Sequence, residues 1–341
     1  MEVYATIDNP QMRLSDVAAH AARAERIGLT GLLVPEAVHD PFLMALLALE
    51  HTRSLTVATS AVVAFPRSPT VVAHSAWDLQ ALSRGRFRLG LGTQVKGNVV
   101  GRFATAWAPP VARMRDYVGA LRAIWRTWQE GVPLRYESEH YRLDRMQPFF
   151  NPGAIESPEI PVYLGGVNAR MMALAGEIAD GLMTHPTNTS PRFLREIATP
   201  ALTTGAARAG REQRLAGIVA SPFVATGATH EALARAREQI RQHLGFLYST
   251  PQYRATLDLH GWRDVGEKLH ALTRAGRWGE LSSEISDEIL DALVPSGTYD
   301  DIGAVLRDWF GDLAAGIALS MPADPADDDR FAAMIRLLRA A

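Results

Sequence analysis

The chain has 341 residues, 47% of them hydrophobic, a formal net charge of −2 and no cysteine. That length suits one α/β barrel with insertions, and the near-zero charge argues against a nucleic-acid footprint or a polybasic membrane patch. The missing cysteines exclude disulfides, thiolate nucleophiles and Cys-ligated zinc, and no apolar run reaches the roughly 18 residues of a spanning helix.

Taken in chain order, the hydrophobic periods alternate between two and 3.6. A strand over 2–7 precedes a helix over 16–27, then 31–35 precedes 42–51, and a β-rich run over 55–64 precedes a helical stretch over 71–82. After the turn Ser83-Arg84-Gly85-Arg86 comes a strand over 87–92, followed by a helix over 112–128. Strands over 161–165, 181–184 and 216–225 lead into helices over 169–177, 191–208 and 230–244. A helix over 301–310, a strand over 316–321 and a helix over 328–340 finish the pattern. Eight βα units without a composition break predict a single (β/α)8 TIM-barrel domain over 1–341. Three stretches exceed a minimal barrel: 97–110 and a small hairpin at 134–143, both after the fourth strand, and 245–295 between the seventh and eighth. Structured insertions at strand ends commonly act as lids or pocket walls.

In parallel β/α folds the carboxyl ends of strands bind ligands, which directs attention to two loops. Thr93-Gln94-Val95-Lys96-Gly97-Asn98 follows the fourth strand; its Lys96 is one of only two lysines, and it either meets an anion or stays solvated. Gly165-Gly166-Val167-Asn168-Ala169-Arg170-Met171 runs from the fifth strand into a helix. Glycine lets backbone approach an anion and the first helical turn offers free N–H groups, although any such turn also tolerates glycine. His39-Asp40 beside Glu36, and His185 in Thr184-His185-Pro186, put imidazoles at strand ends, where they can exchange protons near neutrality. His39 is also readable as a helix-entry residue and Glu36 as a structural carboxylate. No H-x-x-x-H or H-E-x-x-H, no G-x-S-x-G elbow and no Walker loop occurs, so a metal centre, a serine hydrolase and an NTPase are not expected.

Several blocks together resemble the bacterial-luciferase-like flavin and deazaflavin oxidoreductases, nearest the branch that uses coenzyme F420. They are RAERIGLTGLLVPE, HDPFLMALLALEHTRSLTVATSAV, AHSAWDLQALSRGRFRLGLGTQVK, RMRDYVGALRAIW and IPVYLGGVNARMMALAGEIADGLMTHP, with a weaker trace in SGTYDDIGAVL. The resemblance implies a cofactor laid across the strand ends, with a non-proline cis peptide behind its ring at Ser60-Ala61, next to Thr59. It implies a phosphate held by Gly165, Gly166, Val167 and Met171, and contacts to the cofactor from Thr93, Gln94, Val95, Lys96, Asn98 and His185. Related deazaflavin enzymes place an acid followed directly by histidine after the second strand. Here Glu36-Ala37 lacks that histidine; His39 becomes the candidate general acid/base, with Glu36 as a catalytic-site partner that hydrogen-bonds the ring or orients His39. Phe103 and Trp107 are candidate substrate-pocket walls, as are Tyr248, Tyr253 and His260 in the late insertion.

The expected activity is therefore cytoplasmic, F420H2-dependent hydride transfer to an activated C=C or C=N bond of a small molecule or modified peptide. Alcohol or sugar oxidation is the reverse possibility. An FMN-dependent monooxygenase on the same scaffold and a non-catalytic cofactor-binding subunit are the alternatives. A homodimer is expected on family grounds.

Overall fold

The computed structural model describes residues 1–7, 9, 11–214 and 216–340. Its strands in barrel order are β1 Glu2–Thr6, β2 Gly31–Val34, β3 Thr56–Thr59, β4 Phe87–Gly92, β5 Val162–Gly165, β6 Gly181–Met183, β7 Gly217–Ala220 and β8 Gly316–Leu319. Each pairs in parallel with the next, and β8 returns to β1 from Glu2↔Gly316 to Ala5↔Leu319. Closure leaves no unpaired sheet edge.

Alternation along each strand sends every second side chain inward. At the amino-terminal end of the barrel, Arg88 and Glu2 form an ion pair at 2.8 Å, and the guanidinium lies 5.8 Å from the ring centres of Tyr4 and Tyr163. Above this plug Tyr4, Leu33, Ala58, Met183, Val219 and Ala318 fill the middle layer. The large rings fit because glycines face them. A Cβ on Gly181 would sit 2.0 Å from Tyr163 Cε1, and one on Gly31 would sit 2.7 Å from Tyr4 Cδ1. The third layer, at the carboxyl ends, is small and polar, and it forms the floor of the cleft described below.

The helices bury their apolar stripes against the outside of the barrel. Leu14–Ile27 packs Val17, Ala21 and Ala24 inward and stops at Gly28, whose φ of 90° only glycine accepts readily. Pro41–Glu50 begins with Asp40 accepting from Phe42 N, an N-cap that satisfies one free donor.

Four departures from the expected elements matter. The run 55–64 is not one strand: β3 stops at Thr59, the Ser60–Ala61 peptide is cis, and pairing resumes at Val62–Val63. The run 216–225 also breaks. β7 ends at Ala220, Pro222 supplies no N–H to continue it, and Ala225–Gly227 pairs instead with Ser296–Thr298. The helix expected over 191–208 contains a wider π-type turn at Leu194–Ala198, just before Pro200, which lacks an N–H to donate. A short helix, Lys96–Gly101, stands where a loop was expected.

Two of the segments beyond a minimal barrel carry structure of their own. Tyr136–Glu137 and Arg142–Leu143 form the antiparallel hairpin. The 245–295 segment folds onto helix His230–Tyr248 around its own apolar cluster, which includes Ile240, Leu244, Leu269, Ile289 and Leu290. Among the described residues no helix is long and apolar enough to cross a membrane, and no group of three or more His, Cys, Asp or Glu side chains is placed to hold a metal.

Candidate active site

A cleft of about 770 Å³ opens at the carboxyl ends of the strands. Around the cis peptide its floor is built of small residues, Ser60, Ala61, Gly92 and Gly165. Ser60 N donates to Val34 O at 2.7 Å, which aligns the bulge with β2, and the backbone then turns through Ser60–Ala61. Gly92 and Gly165 flank that turn: a Cβ on Gly92 would lie 3.4 Å from Ala61 Cβ, and one on Gly165 would lie 4.0 Å from it. Larger residues there would narrow a flat slot.

One rim is the turn after β5. Gly165, Gly166, Val167, Asn168 and Met171 line the cleft. Asn168 Oδ1 accepts from Met171 N at 3.0 Å and caps helix Ala169–Ile178, while Asn188 Nδ2 holds Val167 O at 2.9 Å. The N–H groups of Ala169 and Arg170 have no acceptor within the helix, so the rim favours an anion.

The adjoining rim is the loop after β4, the strand paired with β5, where Thr93, Gln94, Val95 and Lys96 line the cleft. Gln94 has a φ of 58°, and its Oε1 accepts from Val95 N at 3.0 Å and from Asn98 Nδ2 at 3.1 Å. Asn98 thus faces back onto its own loop and is not part of the cleft wall. Thr59 also stays behind the floor. It is fully buried, and its hydroxyl bonds both the N and the O of Gly90 at 2.9 Å.

His185 stands at the end of β6 on the cleft wall. Its Nδ1 is 2.8 Å from Thr187 Oγ1, and its ring stacks on Tyr253 at 4.5 Å with planes 10° apart. Burial lowers its pKa from 6.5 to about 4, so the imidazole is neutral at neutral pH. With Nδ1 anchored, Nε2 is the nitrogen available to a ligand. Tyr248, expected near the pocket, is buried instead; its hydroxyl donates to Thr187 O at 2.9 Å and supports this loop from behind.

Neither His39, the candidate acid/base, nor Glu36 lines the cleft. Glu36 accepts from Val63 N at 2.7 Å and pairs with Arg67 at 2.8 Å, with only 7% of its side chain exposed. A carboxylate in such a pair has its lone pairs committed to structure. His39 Nε2 donates to Met12 O at 2.9 Å, across from the loop after β1. Of the two candidate walls, Trp107 lines the cleft; Phe103 does not, and carries the Arg102 guanidinium 5.0 Å above its ring. Tyr253 lines the cleft, whereas His260 stacks on Trp262 at 4.7 Å. Sequence reasoning passed over Ser221 and Gln252, both on the wall. Ser221 was hidden inside a strand read through to residue 225, although Pro222 marked the break.

The chain is similar to known proteins in sequence and in fold. The family described as luciferase-like monooxygenase matches residues 1–316. An uncharacterised protein of Mycobacterium tuberculosis is 42% identical over 295 residues, covering 86% of each chain. A putative coenzyme F420-dependent oxidoreductase of the same organism is 27% identical over 288 residues, covering 79% of this chain and 78% of its own. In fold, the chain is similar to the F420-dependent tetrahydromethanopterin reductase of Methanopyrus kandleri. The TM-score is 0.76 at 18% identity, covering 98% of this chain and 96% of that one.

Proposed function

The chain belongs to the luciferase-like monooxygenase family, and from that membership we propose that it is an F420-dependent oxidoreductase. In this reading the protein would hold F420H2 and position an activated C=C or C=N bond of a small molecule or modified peptide for reduction. The observation that carries it is the slot of small residues at Ser60–Ala61, Gly92 and Gly165, with an anion-favouring rim on one side and a buried neutral imidazole on the wall. The relative whose name states F420 dependence supports the choice of cofactor.

The residues fit a planar, phosphorylated cofactor. The slot accepts a ring system, the Gly166–Val167 turn and the first turn of helix Ala169–Ile178 would hold the phosphate, and Thr93, Gln94 and Lys96 would meet ring carbonyls or acidic groups. When bound, the deazaflavin supplies the hydride donor or acceptor, which no amino-acid side chain can replace. The protein's own part is positioning and proton handling. His185, held through Nδ1, takes or gives the proton at Nε2 beside the reacting carbon. Trp107 and Tyr253 narrow the cleft mouth and limit water. Glu36 acts through the backbone, by fixing Val63 and so the bulge. A homodimer in the cytoplasm completes the reading.

Titration of the purified protein with F420 and, separately, with FMN tests it, followed by anaerobic oxidation of F420H2 with unsaturated acceptors. Binding of F420 and not FMN, with acceptor-dependent loss of F420H2, is expected. Preference for FMN with oxygen consumption would overturn it in favour of a flavin monooxygenase.

A further inference from the structure

A second chamber of about 540 Å³ adjoins the cleft, and the two share Thr6, Pro186 and Ser221 as wall residues. It exists because the barrel wall splits there. β7 and β8 pair only at Val219↔Gly316 and Ala220↔Ile317. The last residues of β8, Ala318 and Leu319, pair with β1 alone. Beyond Ala220 the chain bends toward β6, where Ser221 N donates to Thr184 Oγ1 at 3.0 Å, and Pro222 then ends any pairing. The resulting seam leads outward beneath helix His230–Tyr248 and against helices Ile302–Phe310 and Asp328–Arg339.

The chamber's chemistry differs from the cleft's. Phe223, Ile240, Leu306, Leu319, Phe331 and Met334 give it an apolar lining, and among the described residues no Asp, Glu, Lys or Arg reaches it. Gln239, His243 and Ser320 also line it, so an acidic cofactor tail would find one imidazole here and no lysine or arginine, a poorer match than the rim beside Lys96. The anion-favouring rim and Lys96 are on the other cavity.

We propose that this chamber is a substrate subsite, entered from the cleft through the β7–β8 seam, that takes an uncharged, hydrocarbon-rich arm of the substrate. The reacting group then stays over the slot beside His185 while the arm passes Thr6, Pro186 and Ser221. The inference rests on the cleft being the cofactor site, and it narrows the substrate class to elongated molecules with one polar, reactive end and one apolar end.

The test uses straight-chain primary alcohols from hexanol to dodecanol, titrated calorimetrically into the protein without cofactor. F420 is titrated separately, and again with the best alcohol present. Affinity should rise roughly fourfold per added methylene until the chamber is full, then level off. Ala236→Phe, on the half-buried face of the covering helix, should move that plateau to shorter chains; Met334→Ala should move it to longer ones. Both variants should bind F420 as the unaltered protein does. No dependence on chain length, or a plateau that neither variant moves, overturns the proposal even if F420 binds well. Displacement of the alcohol by F420 also overturns it, since the chamber would then belong to the cofactor. A chain-length series that shifts in both variants, in a protein that fails to bind F420, supports the chamber and refutes the cofactor reading alone.

Discussion

Glu36 offers the sharpest test, because a carboxylate that contacts the cofactor ring or orients His39 and one that only braces the fold predict different losses. Its carboxylate pairs with Arg67 at 2.8 Å and accepts from Val63 N at 2.7 Å, with side-chain exposures of 7% for Glu36 and 19% for Arg67. Removing one partner of a buried pair costs about 3–5 kcal/mol. Asp40 remains on Arg67 at 2.9 Å, which places the loss near the lower end, about 3 kcal/mol. Leaving Val63 N unpaired adds about 1 kcal/mol or more. Glu36→Ala is therefore expected to lower unfolding stability by about 4 kcal/mol. Glu36→Gln, which keeps an acceptor for Val63 N, should lose about half as much. Urea denaturation reads the difference as a shift of midpoint at constant slope. Turnover separates the two roles. Loss of a general acid or base costs roughly 10²–10⁴-fold in either variant. A positioning residue instead loses cofactor affinity and turnover together in Glu36→Ala and is rescued to within about tenfold by Glu36→Gln. A Glu36→Gln protein with an unchanged unfolding midpoint and turnover down by about 100-fold or more would refute the reasoning and return Glu36 to catalysis.

Three further outcomes are expected. His185 has a pKa near 4 in the folded protein against 6.5 ordinarily, so the unfolded chain binds more protons between those values. Its neutral form costs the fold nothing above pH 6.5; as pH falls toward 4, about 3 kcal/mol of stability is lost. His185→Gln should flatten that part of a stability-versus-pH curve, and an unchanged curve would mean the ring is not buried neutral. Gly166→Asp sets a carboxylate at the anion-favouring rim, where even a Cβ would lie 3.3 Å from Met171 Cγ. It should weaken F420 by about tenfold or more with the fold intact by circular dichroism, and equal affinity would remove the phosphate assignment. Lys96→Ala should weaken F420 at low salt and matter little at about 1 M salt, where the screening length is near 3 Å. A salt-independent effect would point to packing in place of charge.

Much of the architecture follows from local pattern. Alternation of apolar residues marks strands and a 3.6-residue period marks helices, because each element must bury one face whatever it packs against. Eight such units leave a closed parallel barrel as the economical way to cover every strand edge. The glycine turn with its Asn168 cap is equally local, since cap and capped N–H are three residues apart. The loop after β4 and the turn after β5 were readable for that reason, as strand ends in a parallel fold.

Tertiary structure decided where polar side chains find partners. Glu36 chooses Arg67, 31 residues away, over the cleft, and His39 is drawn to Met12 O, 27 residues away. A carboxylate and an imidazole at a strand end look alike in sequence whether they face substrate or a neighbouring loop; only the packing distances separate the two cases. The break in β7 shows the same division. Pro222 announces in sequence that pairing must stop, yet the direction the chain takes depends on Thr184, 37 residues earlier, holding Ser221 N. The seam between β7 and β8 and the apolar chamber behind it arise from that non-local hydrogen bond. Periodicity records which face of an element is buried, but long-range geometry alone determines which polar group meets which.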